Sequence, residues 1–245
     1  MKQNKYDDPD FFDIYSKMPR SAGGLAQAEE WPLLRTLLPD LRGKTFLDLG
    51  CGYGWHCRYA RSQGASRVVG VDISERMLER AHSLTAENNI EYHRAAIEDY
   101  EYTADSFDVV FSSLALHYIK DYVAVCEKVY KCLKPQGCFV MSVEHPVFTA
   151  LPKQDWYYDE NGNILHWPLD DYQNEGIRHT SWLADNVIKY HRTLQTYINN
   201  LIDSGFCITS LVEPRPSADI LLKKPEFKNE CRRPLFLLLA AIRKD

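Results

Sequence analysis

Three glycines and two acidic residues in the first third of the chain are the residues best suited to do chemistry. Gly50, Gly52 and Gly54 follow a short apolar run that contains Asp48, and a second apolar run ends in Asp72, 18 residues after Gly54. A strand that ends in glycines leaves backbone N–H groups free for a ligand. An acidic residue that ends the neighbouring strand accepts hydrogen bonds from ribose hydroxyls. The pattern therefore predicts a site for a nucleoside-containing cofactor.

Two kinds of cofactor fit such a site, and the charges distinguish them. A dinucleotide fingerprint requires a third glycine at position 55, where this chain has Trp55. Asp48 would also repel a pyrophosphate. S-adenosylmethionine carries a sulfonium and an ammonium, so Asp48 suits its methionine end and Asp72 its ribose. An NAD(P)-dependent oxidoreductase is kept as the alternative function.

Further motifs give the chain a family resemblance. The sequence D-L-G-C-G-Y-G followed by V-V-G-V-D-I-S resembles the class I S-adenosylmethionine-dependent methyltransferases, and most of all the small-molecule branch of quinone and biotin-precursor biosynthesis. The resemblance is tight over residues 40–145. The other matching segments are, in the family's order, residues 96–99, 107–112, 113–118 and 133–140. The product of such an enzyme is S-adenosyl-L-homocysteine.

The resemblance implies roles for residues at the carboxyl ends of the strands. The glycine loop contacts the methionine part of the cofactor, and Asp72 contacts the two ribose hydroxyls. Ile73 and Ile97 enclose the adenine, whose amino group faces Ser112. The family commonly has an acidic residue where this chain has Ala96, so that contact is absent here or comes from another group.

Residues outside these motifs complete the predicted cofactor site. The polar leader is expected to fold over the cofactor, with Tyr15 and Arg20 as candidates and Arg20 neutralising the methionine carboxylate. The predicted cofactor-binding residues are Tyr15, Arg20, Asp48, Gly50, Cys51, Gly52, Gly54, Asp72, Ile73, Ser74, Met77, Ala96, Ile97, Glu98, Ser112, Ser113 and Leu114.

The methyl transfer itself requires few protein groups. An enzyme must align the reactants and exclude water, and it needs a base only when the acceptor must lose a proton. Candidate catalytic residues at this end of the sheet are His117, Glu144 and His145, with His191 beyond them in the chain. The eight histidines show no metal-ligand spacing, so no metal is expected.

The elements that position these residues follow from the alternation of apolar runs and helical periods. Strand and helix patterns alternate through residues 45–143, which predicts right-handed crossovers and a parallel sheet. Two consecutive strand patterns, 206–212 and 234–242, predict an antiparallel pair at the end of the chain. The predicted fold is α/β, a doubly wound and mostly parallel seven-stranded sheet with an antiparallel final strand.

We interpret residues 1–245 as a single methyltransferase domain with two additions. Residues 1–40 form an N-terminal helical cap, in which apolar spacing predicts a helix over 25–38. Residues 146–191 form a lid insert without clear period but with many aromatic residues, which favours packing over disorder. Its tryptophans, Trp156, Trp167 and Trp182, either form a wall for the acceptor or the core of the lid itself.

Composition limits the partners. The net charge of −5 argues against a broad nucleic-acid surface, and no apolar run is long enough to span a membrane. Seven cysteines, an odd number, are typical of reduced thiols in a cytoplasmic protein. The expected partner is a small-molecule acceptor, and nothing in the sequence indicates an oligomeric state. A non-catalytic S-adenosylmethionine-binding protein is the remaining alternative.

Overall fold

A seven-stranded sheet lies at the centre of the protein in the computed structural model, which describes residues 2–86 and 89–244. The strands of the described chain are β1 (Thr45–Leu49), β2 (Arg67–Asp72), β3 (Ile90–Arg94), β4 (Phe107–Ser113), β5 (Leu133–Glu144), β6 (Tyr157–Tyr158), β7 (Ile164–His166), β8 (Gly176–Trp182), β9 (Ala184–His191), β10 (Phe206–Val212) and β11 (Phe236–Arg243). Across the sheet their order is β10-β11-β5-β4-β1-β2-β3. Neighbours from β5 to β3 pair in parallel, whereas β11 is antiparallel to both β5 and β10. The predicted fold class is therefore confirmed.

Helices cover both faces of this sheet. They are α1 (Pro9–Lys17), α2 (Pro19–Gly23), α3 (Trp31–Leu34), α4 (Trp55–Ser62), α5 (Glu75–Ser83), α6 (Tyr122–Cys132), α7 (Pro146–Thr149), α8 (Leu194–Asp203) and α9 (Ala218–Lys223). Because successive strand residues point to opposite faces, Phe46 belongs to one apolar cluster and Leu47 to the other. None of the helices in the described residues has the length and hydrophobicity needed to cross a bilayer.

The order of the strands places the candidate site. The chain proceeds outward from β1 through β2 to β3 and then returns to place β4 on the other side of β1. Ligands of open α/β sheets bind outside the carboxyl ends of the strands at such a reversal. The glycine loop that follows β1 and Asp72 at the end of β2 both lie at this edge.

The helix predicted over residues 25–38 is wrong. The structure has two short 3₁₀ turns, Gly24–Gln27 and Arg35–Leu37, on either side of the single turn α3. Pro32 lies in the first turn of α3, where its missing N–H is tolerated, but no helix can continue through it from residue 25. The apolar residues with helical spacing therefore lie on separate short turns.

The expectation that the lid insert lacks regular structure is also wrong. Strands β6 and β7 form one antiparallel hairpin within residues 146–191, and β8 and β9 form a second, longer one. Arg178 and Thr180 are buried on β8, and Val187, Lys189 and His191 are buried on β9. The buried face of this hairpin is mostly polar, so the alternation that marks a strand is not visible as a hydrophobic pattern.

Candidate functional site

The glycine loop presents bare backbone at the sheet edge. Gly50, Gly52 and Gly54 have φ angles of 77°, 51° and 68°, a region that side chains with a Cβ rarely adopt. A Cβ on Gly50 would lie 2.4 Å from the Cβ of Ala115, whereas a Cβ on Gly52 would meet no atom within 4 Å. The side of Gly52 that a side chain would occupy is open, which leaves room for a ligand against the backbone.

Asp72 is held in place by the two loops that surround it. Its Oδ2 accepts a hydrogen bond from Gly52 N at 2.8 Å, and its Oδ1 accepts one from Ser74 N at 2.9 Å. Burial raises the pKa of Asp72 to about 6, although these backbone donors oppose the shift. Each oxygen keeps a lone pair beyond these bonds, so the carboxylate can accept from a pair of hydroxyls.

A cavity of about 1520 Å³ extends from this loop to the β8–β9 hairpin. That volume exceeds the range typical of a pocket for one small ligand, so it has room for a cofactor and an acceptor together. Predicted residues that line it are Tyr15, Arg20, Gly50, Gly52, Asp72, Ile73, Met77, Ala96, Ile97, Glu98, Ser113, Leu114, His117 and Glu144. Predicted residues that do not line it are Asp48, Cys51, Gly54, Ser74, Ser112, His145 and His191.

Asp48 lies beneath the glycine loop rather than in the cavity. It is fully buried, its Oδ2 is 3.3 Å from the Cys57 thiol, and its Oδ1 has no hydrogen-bond partner among the described residues. Burial raises the pKa of Asp48 to about 7. A second buried residue, Ser112, donates its hydroxyl hydrogen bond to the carbonyl of Leu49 at 2.8 Å. Ser112 thus holds the backbone at the end of β1, and Asp48 contacts the start of α4.

Apolar side chains line the cavity beside Asp72. Ile97 and Met77 are buried, and Ile73 follows Asp72 directly. The segment that carries Ile97 is anchored because Tyr102 donates its hydroxyl hydrogen bond to the Ile97 carbonyl at 2.8 Å. Arg20 reaches the cavity from α2, where its Nη2 lies 2.5 Å from the buried Glu30.

Residues 2–7, which we call the N-terminal segment, close one side of the cavity. The Gln3 side chain accepts from Ile188 N at 2.7 Å and donates to the Ile188 carbonyl at 3.3 Å. At the other end, Asp7 accepts from the Ser74 hydroxyl at 2.5 Å and from Arg76 N at 3.1 Å. The segment thus connects the hairpin to the start of α5. Apart from the aromatic residues, no pattern in the sequence indicates these contacts.

A buried ion pair lies between the sheet and the hairpin. Lys189 Nζ is 2.6 and 2.9 Å from the two carboxylate oxygens of Glu144, and it donates to the Gln154 amide oxygen at 3.0 Å. Although burial raises the pKa of Glu144, the neighbouring His117 and Lys189 lower it below its usual value. Glu144 is therefore an ionised carboxylate whose charge is compensated within the protein. Sequence reasoning missed Lys189, since a lysine in a polar stretch carries no signal of burial.

The three histidine candidates have different surroundings. His117 lines the cavity, is 1% exposed, and accepts a hydrogen bond at Nδ1 from Glu144 N at 3.4 Å. His145 caps α7 by accepting from Val147 N at 3.1 Å. His191 has both ring nitrogens bonded, at 2.8 Å to the Thr149 hydroxyl and at 2.9 Å to a backbone carbonyl. The structure brings only His117 and Glu144 to the cavity.

The three tryptophans of residues 146–191 do not share one environment. Trp156 and Trp167 pack edge to face with centroids 5.2 Å apart, and the guanidinium of Arg233 lies 4.2 Å from the Trp167 ring centroid. Trp182 instead lines the cavity, where it packs against Tyr15 at 6.3 Å. Two of the rings thus pack against each other within residues 146–191, and the third faces the cavity.

Comparison with known proteins gives consistent matches. Residues 47–141 match the family model of the methyltransferase domain. The crystal structure of an S-adenosylmethionine-dependent methyltransferase from Mesorhizobium loti is 44% identical, with a TM-score of 0.84, over 90% of this chain and all of that one. A Listeria monocytogenes protein assigned to the same class is 50% identical, with a TM-score of 0.83, over 89% of this chain and 99% of that one.

A curated relative with a named substrate matches over a shorter length. The demethylmenaquinone methyltransferase of Lactococcus lactis is 33% identical over 145 residues, which is 55% of this chain and 58% of that protein. This chain therefore spans little more than half the length of that relative.

Proposed function

Because the chain belongs to the S-adenosylmethionine-dependent methyltransferases, we propose that it transfers the methyl group to a small-molecule acceptor bound beneath the β8–β9 hairpin. The observation that carries this proposal is the single cavity of about 1520 Å³ that joins the glycine loop to the hairpin. One end offers bare backbone and a carboxylate, and the other offers aromatic rings, a histidine and Glu144. Two ligands can therefore meet in one continuous cavity.

The residues at the loop end fit the cofactor. The open side of Gly52 admits a ligand against the backbone, Asp72 offers two fixed oxygens, and Ile97 and Met77 offer an apolar surface for a planar base. Arg20 carries guanidinium donors toward the same space. When bound, S-adenosylmethionine supplies a methyl group already activated by the sulfonium. The protein has to orient that group and keep water out.

The segments that border the cavity support a small-molecule acceptor. We propose that residues 1–40 act as a cap and residues 146–191 as a lid, since the N-terminal segment and β9 are hydrogen-bonded to each other beside the cavity. The net charge of −5 offers no broad phosphate-binding surface. All seven cysteines are free thiols, which supports a cytoplasmic location.

Calorimetric titration tests the cofactor part of the proposal. We expect S-adenosylmethionine to bind the wild type and to bind Asp72→Ala about 100-fold more weakly, because two charge-assisted hydrogen bonds to the ribose are lost. Asp219→Ala, at an exposed acid on α9, is the matched control. Undetectable binding to the folded wild type would refute the proposal.

Catalysis needs a separate test. Purified protein is incubated with S-adenosylmethionine carrying a labelled methyl group and with the small-molecule fraction of a cell extract. A labelled product of low mass is the expected result. Binding of the cofactor without any labelled product would instead indicate a non-catalytic binding protein.

A further inference from the structure

The acceptor end of the cavity contains a histidine whose proton position follows from its surroundings. His117 is 1% exposed, and its Nδ1 accepts the backbone N–H of Glu144 at 3.4 Å. A ring nitrogen that accepts a hydrogen bond carries no proton, so neutral His117 carries its proton on Nε2. No described residue bonds to Nε2, and the ring belongs to the cavity lining. Neutral His117 therefore presents an N–H donor to the cavity.

The charges around His117 keep it neutral. The pKa of His117 is lowered to about 4, chiefly by burial and also by Lys189 and Arg192, against the opposing effect of Glu144. Tyr118, whose ring centroid is 4.3 Å away, is uncharged because burial raises the pKa of its phenol. Near neutral pH the imidazole therefore has neither a positive charge to offer nor a free lone pair on the side of the acceptor.

Lys189 occupies the place between Glu144 and Trp182 where a cationic acceptor could otherwise bind. Glu144, the carboxylate in this part of the lining, is paired with Lys189 Nζ at 2.6 and 2.9 Å. The same Nζ lies 5.7 Å from the centroid of the Trp182 ring, in the position that a substrate ammonium would take. An amine acceptor would compete with a buried lysine of this chain for both partners.

From these contacts, and on the basis of the function proposed above, we propose that the acceptor reacts through an oxygen anion and that His117 binds it as a hydrogen-bond donor through Nε2–H. The anion is a carboxylate or the conjugate base of an acidic phenol or enol. The oxygen lone pair forms the new C–O bond while the electrons of the C–S bond pass to sulfur. No proton leaves the acceptor in this step, so no base is required.

The position of the proton is measured directly. Nitrogen-15 NMR of protein labelled in histidine, with S-adenosylmethionine added, reports which ring nitrogen of His117 is protonated at pH 7, and His117→Gln assigns its signals. We expect a protonated Nε2 and a bare Nδ1. A protonated Nδ1, or an imidazolium, would overturn the proposal.

Two substitutions of His117 distinguish a hydrogen-bond donor from a general base. His117→Gln keeps an N–H donor but cannot take up a proton, whereas His117→Leu has neither ability. With the unmethylated acceptor identified from the labelled product as substrate, we expect His117→Gln to stay within about 10-fold of wild-type kcat/KM with the same pH profile from 6 to 9. We expect His117→Leu to lose about 10- to 100-fold, as for one hydrogen bond to a charged group. The exposed His166→Gln is the control. Equal losses in both variants, at unchanged melting temperature, would overturn the assignment of His117 as a hydrogen-bond donor.

The product itself identifies the accepting atom. A label released as methanol by alkali indicates a carboxylate acceptor, and a label released only by ether cleavage indicates a phenol or enol. Both results support the proposal. A label on nitrogen or carbon refutes it while leaving the methyltransferase function intact, whereas the absence of any labelled product refutes the proposed function instead.

Discussion

The two ends of the cavity are built by different means. At the glycine loop, backbone groups form the site, and the positive φ angles of Gly50 and Gly52 determine its shape. At the β8–β9 hairpin, buried charged side chains such as Lys189 and Arg178 hold the structure together. The loop end therefore depends on the absence of side chains, and the hairpin end depends on their pairing. Substitutions should therefore change stability for different reasons at the two ends of the cavity.

The largest effect is expected where a buried charge loses its partner. Lys189→Met leaves Glu144 buried and unpaired, which should lower the free energy of unfolding by about 3–5 kcal/mol. Chemical denaturation measures this loss. The double variant Glu144→Gln/Lys189→Met should recover much of it, because neither charge remains. If the single variant is as stable as the wild type, the hairpin does not depend on this pair.

At the loop end, removal of a charge should stabilise the protein. Burial raises the pKa of Asp48 from 3.8 to about 7, so the folded state holds a proton that the unfolded chain releases between those values. The contribution of Asp48 to stability therefore falls as pH rises from about 4 to about 7. Asp48→Asn should be nearly neutral at pH 4 and more stable than the wild type by about 2–4 kcal/mol at pH 7.5. Equal effects at both pH values would contradict this assignment.

Replacing glycine by alanine should destabilise the protein more at Gly50 than at Gly43. Gly50 and Gly43 have similar φ angles of 77° and 70°, but a Cβ on Gly50 would clash with Ala115 whereas one on Gly43 meets nothing within 4 Å. Gly43→Ala should cost about 1 kcal/mol from backbone strain. Gly50→Ala should cost about 2–3 kcal/mol and also weaken cofactor binding. Thermal denaturation and calorimetry compare the pair, and equal costs would show that strain alone matters.

The smallest effect is expected at the connection between the two ends. Gln3→Ala removes two hydrogen bonds to Ile188, worth about 1–2 kcal/mol together. Because Gln3 and Ile188 line the cavity, we expect faster release of S-adenosylmethionine in stopped-flow measurements, with a loss of global stability no larger than this value. Gln27→Ala, at the end of a 3₁₀ turn, serves as control. An unchanged release rate would place the N-terminal segment outside the exit path.

The same contrast explains what the sequence could predict. Strands β1 and β2 and the glycine loop could be predicted because a buried strand requires apolar residues and a tight turn with positive φ requires glycine. The hairpin was not, because Arg178 and Lys189 turn inward and look like surface residues in a sequence. The helical spacing of residues 25–38 predicts one helix, but Pro32 lies within it and begins a separate turn. The roles of the predicted site residues in binding and catalysis remain predictions.

The bonds between Gln3 and Ile188 have a consequence for biosynthesis. These partners are 185 positions apart, so the ribosome completes the glycine loop and five parallel strands long before Ile188 emerges. At about 5–20 residues per second, residues 2–7 wait roughly 10–40 seconds for their partner. Until β9 emerges, the Gln3 side chain of the nascent chain therefore has no partner, and residues 2–7 lack their attachment to the hairpin.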